Sequence, residues 1–328
     1  MKRKHVAPAV RPHLLPIIDE NKQVFGIFLS VIAWSLFAVF TYAIDMLNQS
    51  FSAHLSAKSL SKTLLEFTLI HFVMTVIFFC SCLKEGGASY LYPKEPILIL
   101  WRSIAAVISF WCYAFSRIWT STIDNSLQYS TDALWILLIV WHLKHQISVR
   151  AAMGIILSFM GIIYVYFADS RSLYDVIGGV FGVSAGFTLA VITVITAYLV
   201  KKDPPIRIGF YQSILGLSFF LPFSLLLGLI DGFDFPSLLE TAIALMTGVV
   251  FSVLLYMLWQ SFYYTKPHIL GAVSYILPLF LLLFGWLFEK KPINQATLRG
   301  TLLITTGSFL AISSLFTTRS KRRKGSRA

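Results

Sequence analysis

The feature that most constrains the fold of this sequence is a series of long apolar segments separated by short polar turns. A helix of about 20 apolar residues crosses the roughly 30 Å hydrocarbon core of a bilayer. The segments that meet this length run over about 24–44, 63–83, 96–117, 121–143, 147–168, 174–200, 206–231, 238–264, 267–288 and 294–317. We therefore predict an all-α integral membrane protein with ten transmembrane helices.

The composition agrees with a membrane protein and excludes an ordinary soluble domain. Of the 328 residues, 57% are hydrophobic and 13% are charged, which is about half of the roughly 25% charged residues usual in soluble domains. The mean hydropathy is +0.75. Cys80, Cys82 and Cys112 all lie within apolar segments, so we expect small buried side chains rather than a disulfide framework.

The formal net charge of +12 comes mostly from the two ends of the chain, which contain MKRKHVAPAVR and RSKRRKGSR. Beside apolar helices such clusters are typical of cytoplasmic flanks, so we do not expect nucleic-acid binding. Most other Lys and Arg residues, including Arg102, fall on the same side if both termini are cytoplasmic. No cleavable leader is recognised before the first apolar segment, and the short loops favour a bacterial inner membrane.

The two halves of the chain repeat one another. VFGIFLSVIAWSLFA from Val24 aligns with VIGGVFGVSAGFTLA from Val176, and each half ends with two glycines seven residues apart. Because five spans per half is an odd number, we predict that the second repeat is inverted relative to the first. Transporters of this plan bind substrate between the repeats, near the middle of the membrane. The predicted domains are a basic cytoplasmic tail at 1–23, five-helix repeats at 24–168 and 174–317, and a second basic cytoplasmic tail at 318–328.

One predicted span carries two acidic residues. Asp124, Gln128 and Asp132 lie at positions i, i+4 and i+8 of the stretch Trp119–Leu143, which places them on one helix face. A carboxylate near the bilayer midplane costs at least about 2.5–3.5 kcal/mol, and such residues face a cavity or a partner. We assign Asp132 a substrate-binding or coupling role. For Asp124, a role in the cavity and a structural ion pair with Arg117 are equally well supported.

Aromatic and polar side chains from both halves add to the predicted site. Trp and Tyr near span ends usually form interfacial belts. Several, however, fall in the middle of their segments, where aromatic faces can stack on planar rings and attract cations. The remaining members of the predicted site are Tyr129, Trp135, Trp111, Tyr275, Ser274 and Gln260. Carboxylates with aromatic walls suit a positively charged ligand that carries a flat ring.

A family pattern can be read in the second half, in the run SFYYTKPHILGAVSYILPLFLLLFGWLFEKK from Ser261 to Lys291. It contains a short turn, the helix-interior Pro278, an aromatic-rich run and Glu289, and a glycine-spaced helix follows. Together with the ten spans and basic ends, this pattern resembles the EamA type of the drug/metabolite transporter superfamily. The resemblance covers about residues 24–317.

The first half departs from this family pattern. Thr131 and Asp132 stand where the sequence alignment places Pro278 and Leu279 of the second half. The missing proline and the added acid predict a specialised pocket in the first half.

The resemblance implies a secondary carrier for a small polar metabolite. Members of the superfamily that resemble this chain move amino acids, nucleotide-linked sugars, purines or S-adenosylmethionine. The acids and aromatics favour S-adenosylmethionine, whose sulfonium, ammonium and adenine match that chemistry, with S-adenosylhomocysteine as an exchange partner. Export of an amino acid, an amine or a nucleotide-type metabolite is the alternative. The expected partners are this solute and the lipid bilayer, and the sequence is compatible with a monomer or a homodimer.

Other classes of function have less support. The motifs of metalloproteases, P-loop ATPases and dinucleotide-binding enzymes, HExxH, GxxxxGK[ST] and GxGxxG, are missing. We therefore predict a transporter that is not an ATPase and needs no cofactor or metal. A membrane enzyme acting on lipid would rely on His142, Lys144 and His145, which lack a nucleophile. A receptor would need an output domain, which we do not recognise.

Overall fold

The computed structural model describes residues 20–48, 57–120, 122–143, 147–166, 173–233, 235–289 and 295–325. Within these ranges the chain is helical and contains no strand, so the predicted all-α class is confirmed. The helices are α1 (Glu20–Asn48), α2 (Ala57–Gly86), α3 (Pro96–Trp119), α4 (Thr122–Tyr129), α5 (Asp132–His142), α6 (Val149–Tyr166), α7 (Leu173–Leu199), α8 (Pro205–Asp231), α9 (Leu238–Tyr264), α10 (Pro267–Ser274), α11 (Ile276–Glu289) and α12 (Gln295–Gly325), with a short 3-10 helix (Gly87–Leu91) after α2. Most of the predicted N-terminal tail and the last three residues lie outside the described ranges.

Eight helical stretches of the described residues are long and apolar enough to cross a membrane. They are α1, α2, α3, α6, α7, α8, α9 and the pair α10 and α11 taken together. The apolar part of α12 is shorter, Leu298–Ser313, and α4 and α5, of 8 and 11 residues, are not among the eight stretches. The chain is thus a multi-pass membrane protein, while the number of ten spans stays a prediction.

Two of the predicted spans are broken near their middle. Ser130 and Thr131 separate α4 from α5, and Tyr275 separates α10 from α11. At the first break the Thr131 amide donates to Gln128 O at 3.1 Å, one residue closer than a regular α-helical bond, which tightens the turn. At the second, Pro278 lies in the first turn of α11, where its missing N–H costs no helical bond. The fourth and ninth predicted segments are therefore pairs of half-helices.

The starts of the half-helices can be compared with the alignment of the two halves around Asp132. α5 begins at Asp132 and α11 begins at Ile276, three residues before Leu279, which the sequence alignment pairs with Asp132. Because helix ends are defined only to within one or two residues, the alignment at this position stays a prediction.

The two halves make matching helix contacts. The first half comprises α1–α6 and the second comprises α7–α12. α1 packs on α9 as α7 packs on α3, and the equivalent helices α2 and α8, and also α6 and α12, pack on each other. A Cβ atom on Gly178 of α7 would lie 2.5 Å from Thr120 Cγ2, just after α3. A Cβ atom on Gly26 of α1 would overlap Thr265 Oγ1, just after α9. The two glycines that the alignment pairs thus have equivalent environments.

The glycines near the end of each half lie where α6 and α12 cross. A Cβ atom on Gly154 would lie 2.5 Å from Gly307 O, and one on Gly161 would lie 2.7 Å from Gly300 O. Close backbone approach at small residues is a common way for membrane helices to associate. The repeated glycine spacing in the sequence therefore reflects one contact between the halves.

Candidate functional site

Asp132 faces the interior of the protein at the break between α4 and α5. Its side chain is 2% exposed, and Ser274 Oγ donates a hydrogen bond to Asp132 Oδ1 at 2.9 Å. Ser274 is the last residue of α10, so this bond joins the broken helices of the two halves. No ion pair of Asp132 occurs among the described residues. The structure thus brings together two predicted site residues that lie far apart in sequence.

The Ser274 hydroxyl does not donate to Asp132 alone. Ser274 Oγ also lies 2.7 Å from Gly271 O of its own helix. Because a hydroxyl has one hydrogen, it divides that donor between the carbonyl and the carboxylate. The Asp132 carboxylate therefore retains capacity to accept from another donor.

Five of the buried polar atoms that have no hydrogen-bond partner belong to the broken helix that contains Asp132, and the others lie elsewhere in the described residues. The five are Asn125 Oδ1, Gln128 Nε2, Ser130 Oγ, Thr131 Oγ1 and Trp135 Nε1. Leaving such an atom unsatisfied costs about 1–3 kcal/mol, and native proteins contain few of them. A group of five within one broken helix, next to a buried carboxylate, is the pattern expected of a site that binds a polar ligand.

Helix α3 fixes two of these side chains through their other ends. Ser116 Oγ donates to Gln128 Oε1 at 3.0 Å, and Asn125 Nδ2 donates to Tyr113 O at 3.3 Å. Each amide is therefore held by one atom while its second polar atom, Gln128 Nε2 or Asn125 Oδ1, has no partner. This arrangement preorganises one donor and one acceptor.

Glycines of α7 let the polar half-helix approach closely. A Cβ atom on Gly182 would overlap Gln128 Oε1, and one on Gly186 would lie 2.5 Å from Thr131 Oγ1. The run from Gly182 to Gly186 also spells GxSxG, the pattern of a hydrolase nucleophile, which occurs at a strand-to-helix turn. Here it lies inside α7, where Ser184 Oγ donates to Val180 O of the previous turn at 2.7 Å. The run serves helix packing.

Three of the four predicted aromatic residues lie near Asp132 or its half-helix. Tyr129 ends α4 two residues before the first break ends, and Tyr275, which is fully buried, forms the second break next to Ser274. The Trp135 ring meets Phe187 edge-on, with centroids 5.4 Å apart. Trp111 instead stacks on Phe115 and packs among phenylalanines of α8. The side of α3 that bears Trp111 therefore faces α8.

Two further predicted residues are not linked to Asp132 by any hydrogen bond or ion pair shown for the described residues. Gln260 donates to Tyr264 OH at 3.3 Å, on its own helix. Asp124 lies half-buried in the first turn of α4 and, like Arg117, is not isolated. The predicted pairing of these last two residues stays a prediction.

The structure also shows a charge that is buried although the sequence predicts it at the membrane surface. Arg102, counted there among the basic residues of cytoplasmic ends, is 1% exposed and lies inside α3. A signal for it existed, because Arg102 is preceded by the six residues Pro96–Trp101 of its helix. Charge counting cannot tell an arginine at the membrane surface from one that points into the protein.

Comparison with known proteins adds three findings. Residues 176–313 match the EamA-like transporter family. An uncharacterized transporter of Bacillus subtilis (strain 168), YetK, is 23% identical over 255 residues, which cover 76% of each chain. A protein of known crystal structure superposes with a TM-score of 0.65 at 16% identity, covering 89% of this chain and 97% of that one. At this identity the last comparison bears on the fold alone.

Proposed function

We propose that this chain is a secondary carrier of the EamA type within the drug/metabolite transporter superfamily, with its substrate site at Asp132 and Ser274; the family match over residues 176–313 and the similarity to a transporter support this. The observation that supports this most is the buried carboxylate itself. It has no ion pair among the described residues, and five unpartnered polar atoms belong to the same broken helix. In a membrane protein such a group is maintained for a ligand or a transported ion.

The chemistry of the site favours a cationic, planar solute. A carboxylate binds an ammonium or sulfonium group, and Tyr129, Trp135 and Tyr275 offer aromatic faces. Gln128 and Asn125 supply one donor and one acceptor for a heterocycle. S-adenosylmethionine, exchanged for S-adenosylhomocysteine, combines these groups. An amino acid, an amine or a nucleotide-type metabolite is the second candidate, because each uses part of the same site.

The transport path we propose follows from the repeated contacts. The packing of α1 on α9 and of α7 on α3 relates the halves, and an odd number of spans per half would invert one of them. The proposal is that both basic ends lie in the cytoplasm of a bacterial inner membrane and that ten spans form two inverted repeats with Asp132 between them. Because Asp132 is 2% exposed, the half-helices must move before a solute reaches it.

The test is counterflow in proteoliposomes. Vesicles preloaded with S-adenosylhomocysteine receive labelled S-adenosylmethionine, and parallel vesicles receive labelled amino acids. We expect Asp132→Asn to lower uptake of the transported solute by at least about tenfold, because the amide cannot pair with a cation. Glu85→Gln, which neutralises an exposed carboxylate at the end of α2, is the matched control and should keep full uptake. Normal uptake by Asp132→Asn would remove that residue from the mechanism.

A further inference from the structure

A second charge is buried in the fold, and its sign is opposite to that of Asp132. Arg102 lies six residues beyond Pro96, the first residue of α3, which is about 9 Å along the helix. Its side chain is 1% exposed. No Asp or Glu of the described residues lies within 4 Å of its guanidinium nitrogens. A cation inside a membrane protein is costly unless something compensates its charge.

The neighbours of Arg102 hold it in place without neutralising it. Arg102 Nε donates to Thr196 Oγ1 of α7 at 2.9 Å, and Nη1 donates to Gln212 Oε1 of α8. The guanidinium carbon lies 4.6 Å from the ring centroid of Trp259 on α9. A guanidinium has five N–H donors, so most of its donors, including both on Nη2, have no partner among the described residues. Four helices thus orient a cation that still lacks an anion.

Another buried arginine shows how this fold treats a structural cation. Arg207 is 6% exposed, and its Nη1 pairs with Asp203 at 2.5 Å while its Nε donates to Tyr90 O. The partly buried Lys62 likewise pairs with Glu240 at 2.8 Å. Where a cation serves only the packing of helices, a carboxylate of the chain lies beside it. Arg102 departs from this rule.

We propose that Arg102, with Thr196, Gln212 and Trp259, forms an anion-binding site that takes the carboxylate of the transported solute. The planar guanidinium fork matches the two oxygens of a carboxylate, and the indole face of Trp259 shields the other side of the cation. This inference rests on the proposed carrier function and narrows it. The solute then carries a carboxylate as well as a cationic group, as amino acids and S-adenosylmethionine do. It meets Arg102 and Asp132 in succession, because Thr196 beside Arg102 and Gly186 beside Thr131 lie about 15 Å apart along α7.

The test measures the chemical reactivity of Arg102 in the wild-type protein, so the identity of the solute need not be known. Purified carrier is treated with phenylglyoxal, which reacts with free guanidinium groups, and each arginine is followed by peptide mass spectrometry. Sodium acetate is compared with sodium chloride at equal ionic strength and with acetamide, its neutral counterpart. Acetate at ten times its dissociation constant leaves about a tenth of the sites free. We therefore expect it to slow modification of Arg102 about tenfold, while chloride and acetamide do not.

Two other arginines serve as internal controls. Arg150 is exposed and should react at the same rate in every solution, and Arg207 should stay unreactive because Asp203 already holds it. If Arg102 never reacts, or reacts equally fast in acetate and chloride, the anion site is wrong. Protection of Arg102 without counterflow of any candidate would refute the carrier proposal and leave the anion site standing. Counterflow without protection of Arg102 would refute the anion site and leave the carrier proposal standing.

Discussion

At the scale of single residues, the interior of this protein contains two charges that lack a partner of opposite charge among the described residues and receive only neutral hydrogen-bond partners. Asp132 receives one shared hydroxyl proton, and Arg102 is held by neutral groups alone. A fold that needed these residues only for stability would gain from apolar replacements, because buried charges cost more than they return unless they are well paired. In the proposed carrier, the ligand supplies the partners that these two charges lack.

The hydroxyl of Ser274 gives the first prediction. Ser274→Ala removes the bond to Asp132, and hydrogen bonds to charged groups contribute about 1.5–3 kcal/mol. We expect transport efficiency, kcat/KM, to fall about tenfold or more in counterflow assays. Ser218→Ala is the matched control, since that exposed hydroxyl bonds only to Ile214 O of its own helix. Equal activity of the two variants would mean that the contact is structural.

A second prediction concerns the glycine that admits Gln128. In Gly182→Ala the new methyl group would overlap Gln128 Oε1, so this side chain must move and lose its bond from Ser116. One neutral hydrogen bond corresponds to about 0.5–1.5 kcal/mol, so we expect KM to rise about threefold to tenfold. The neighbouring Val183→Ala, on the exposed side of α7, should leave KM unchanged. An unchanged KM in Gly182→Ala would place Gln128 outside the site.

The residues that sequence could and could not identify differ in a physical way. Asp132 stood out because a carboxylate in an apolar segment is costly wherever it points. Trp111 is predicted from its depth along its helix and Gln260 from its polarity, but neither property fixes rotation about the helix axis. Both face neighbours that the sequence does not name. Arg102 was missed for the same reason.

At the scale of helices, the two breaks define the site. Each break ends one half-helix and starts another, which exposes backbone groups and polar side chains in the middle of the protein. Pro278 is a sequence signal for the second break. The first break has no such signal, because Ser130 and Thr131 tolerate a helix as well as a turn. Only their backbone bonds to the preceding turn show that the helix is interrupted there.

The crossing of α6 and α12 yields a prediction on stability. A Cβ atom on Gly307 would overlap Gly154 O and lie 2.5 Å from Ser158 N, and backbone atoms cannot rotate away. We expect Gly307→Ala to lower the unfolding free energy by about 1–3 kcal/mol, visible as a lower Tm in detergent. In Gly285→Ala the nearest atom is Ile123 Cδ1 at 3.3 Å, the end of a flexible side chain, so its Tm should hardly change. Similar losses in both variants would argue against a specific α6–α12 contact.

At the scale of the whole molecule, the sequence predicted the class better than the details. Apolar length and composition were sufficient for an all-α membrane protein, and the family resemblance is confirmed by the match over residues 176–313. The number of ten spans stays a prediction, because α4 and α5 are short half-helices that do not belong to the eight long apolar stretches. The polar residues of this predicted span are those of the candidate site.

The central claim is that the region of Asp132 opens to water on each side of the membrane in turn. Ser130 is adjacent to the break and 1% exposed in this structure. We propose to introduce Ser130→Cys after replacing Cys80, Cys82 and Cys112, and to apply a charged, membrane-impermeant thiol reagent to right-side-out and inside-out vesicles. Leu138→Cys, on the outward face of α5 with 41% exposure, is the control that should face lipid. We predict that Ser130→Cys reacts from both sides and is protected by the transported solute, whereas Leu138→Cys does not react. Failure of Ser130→Cys to react from either side would contradict the account.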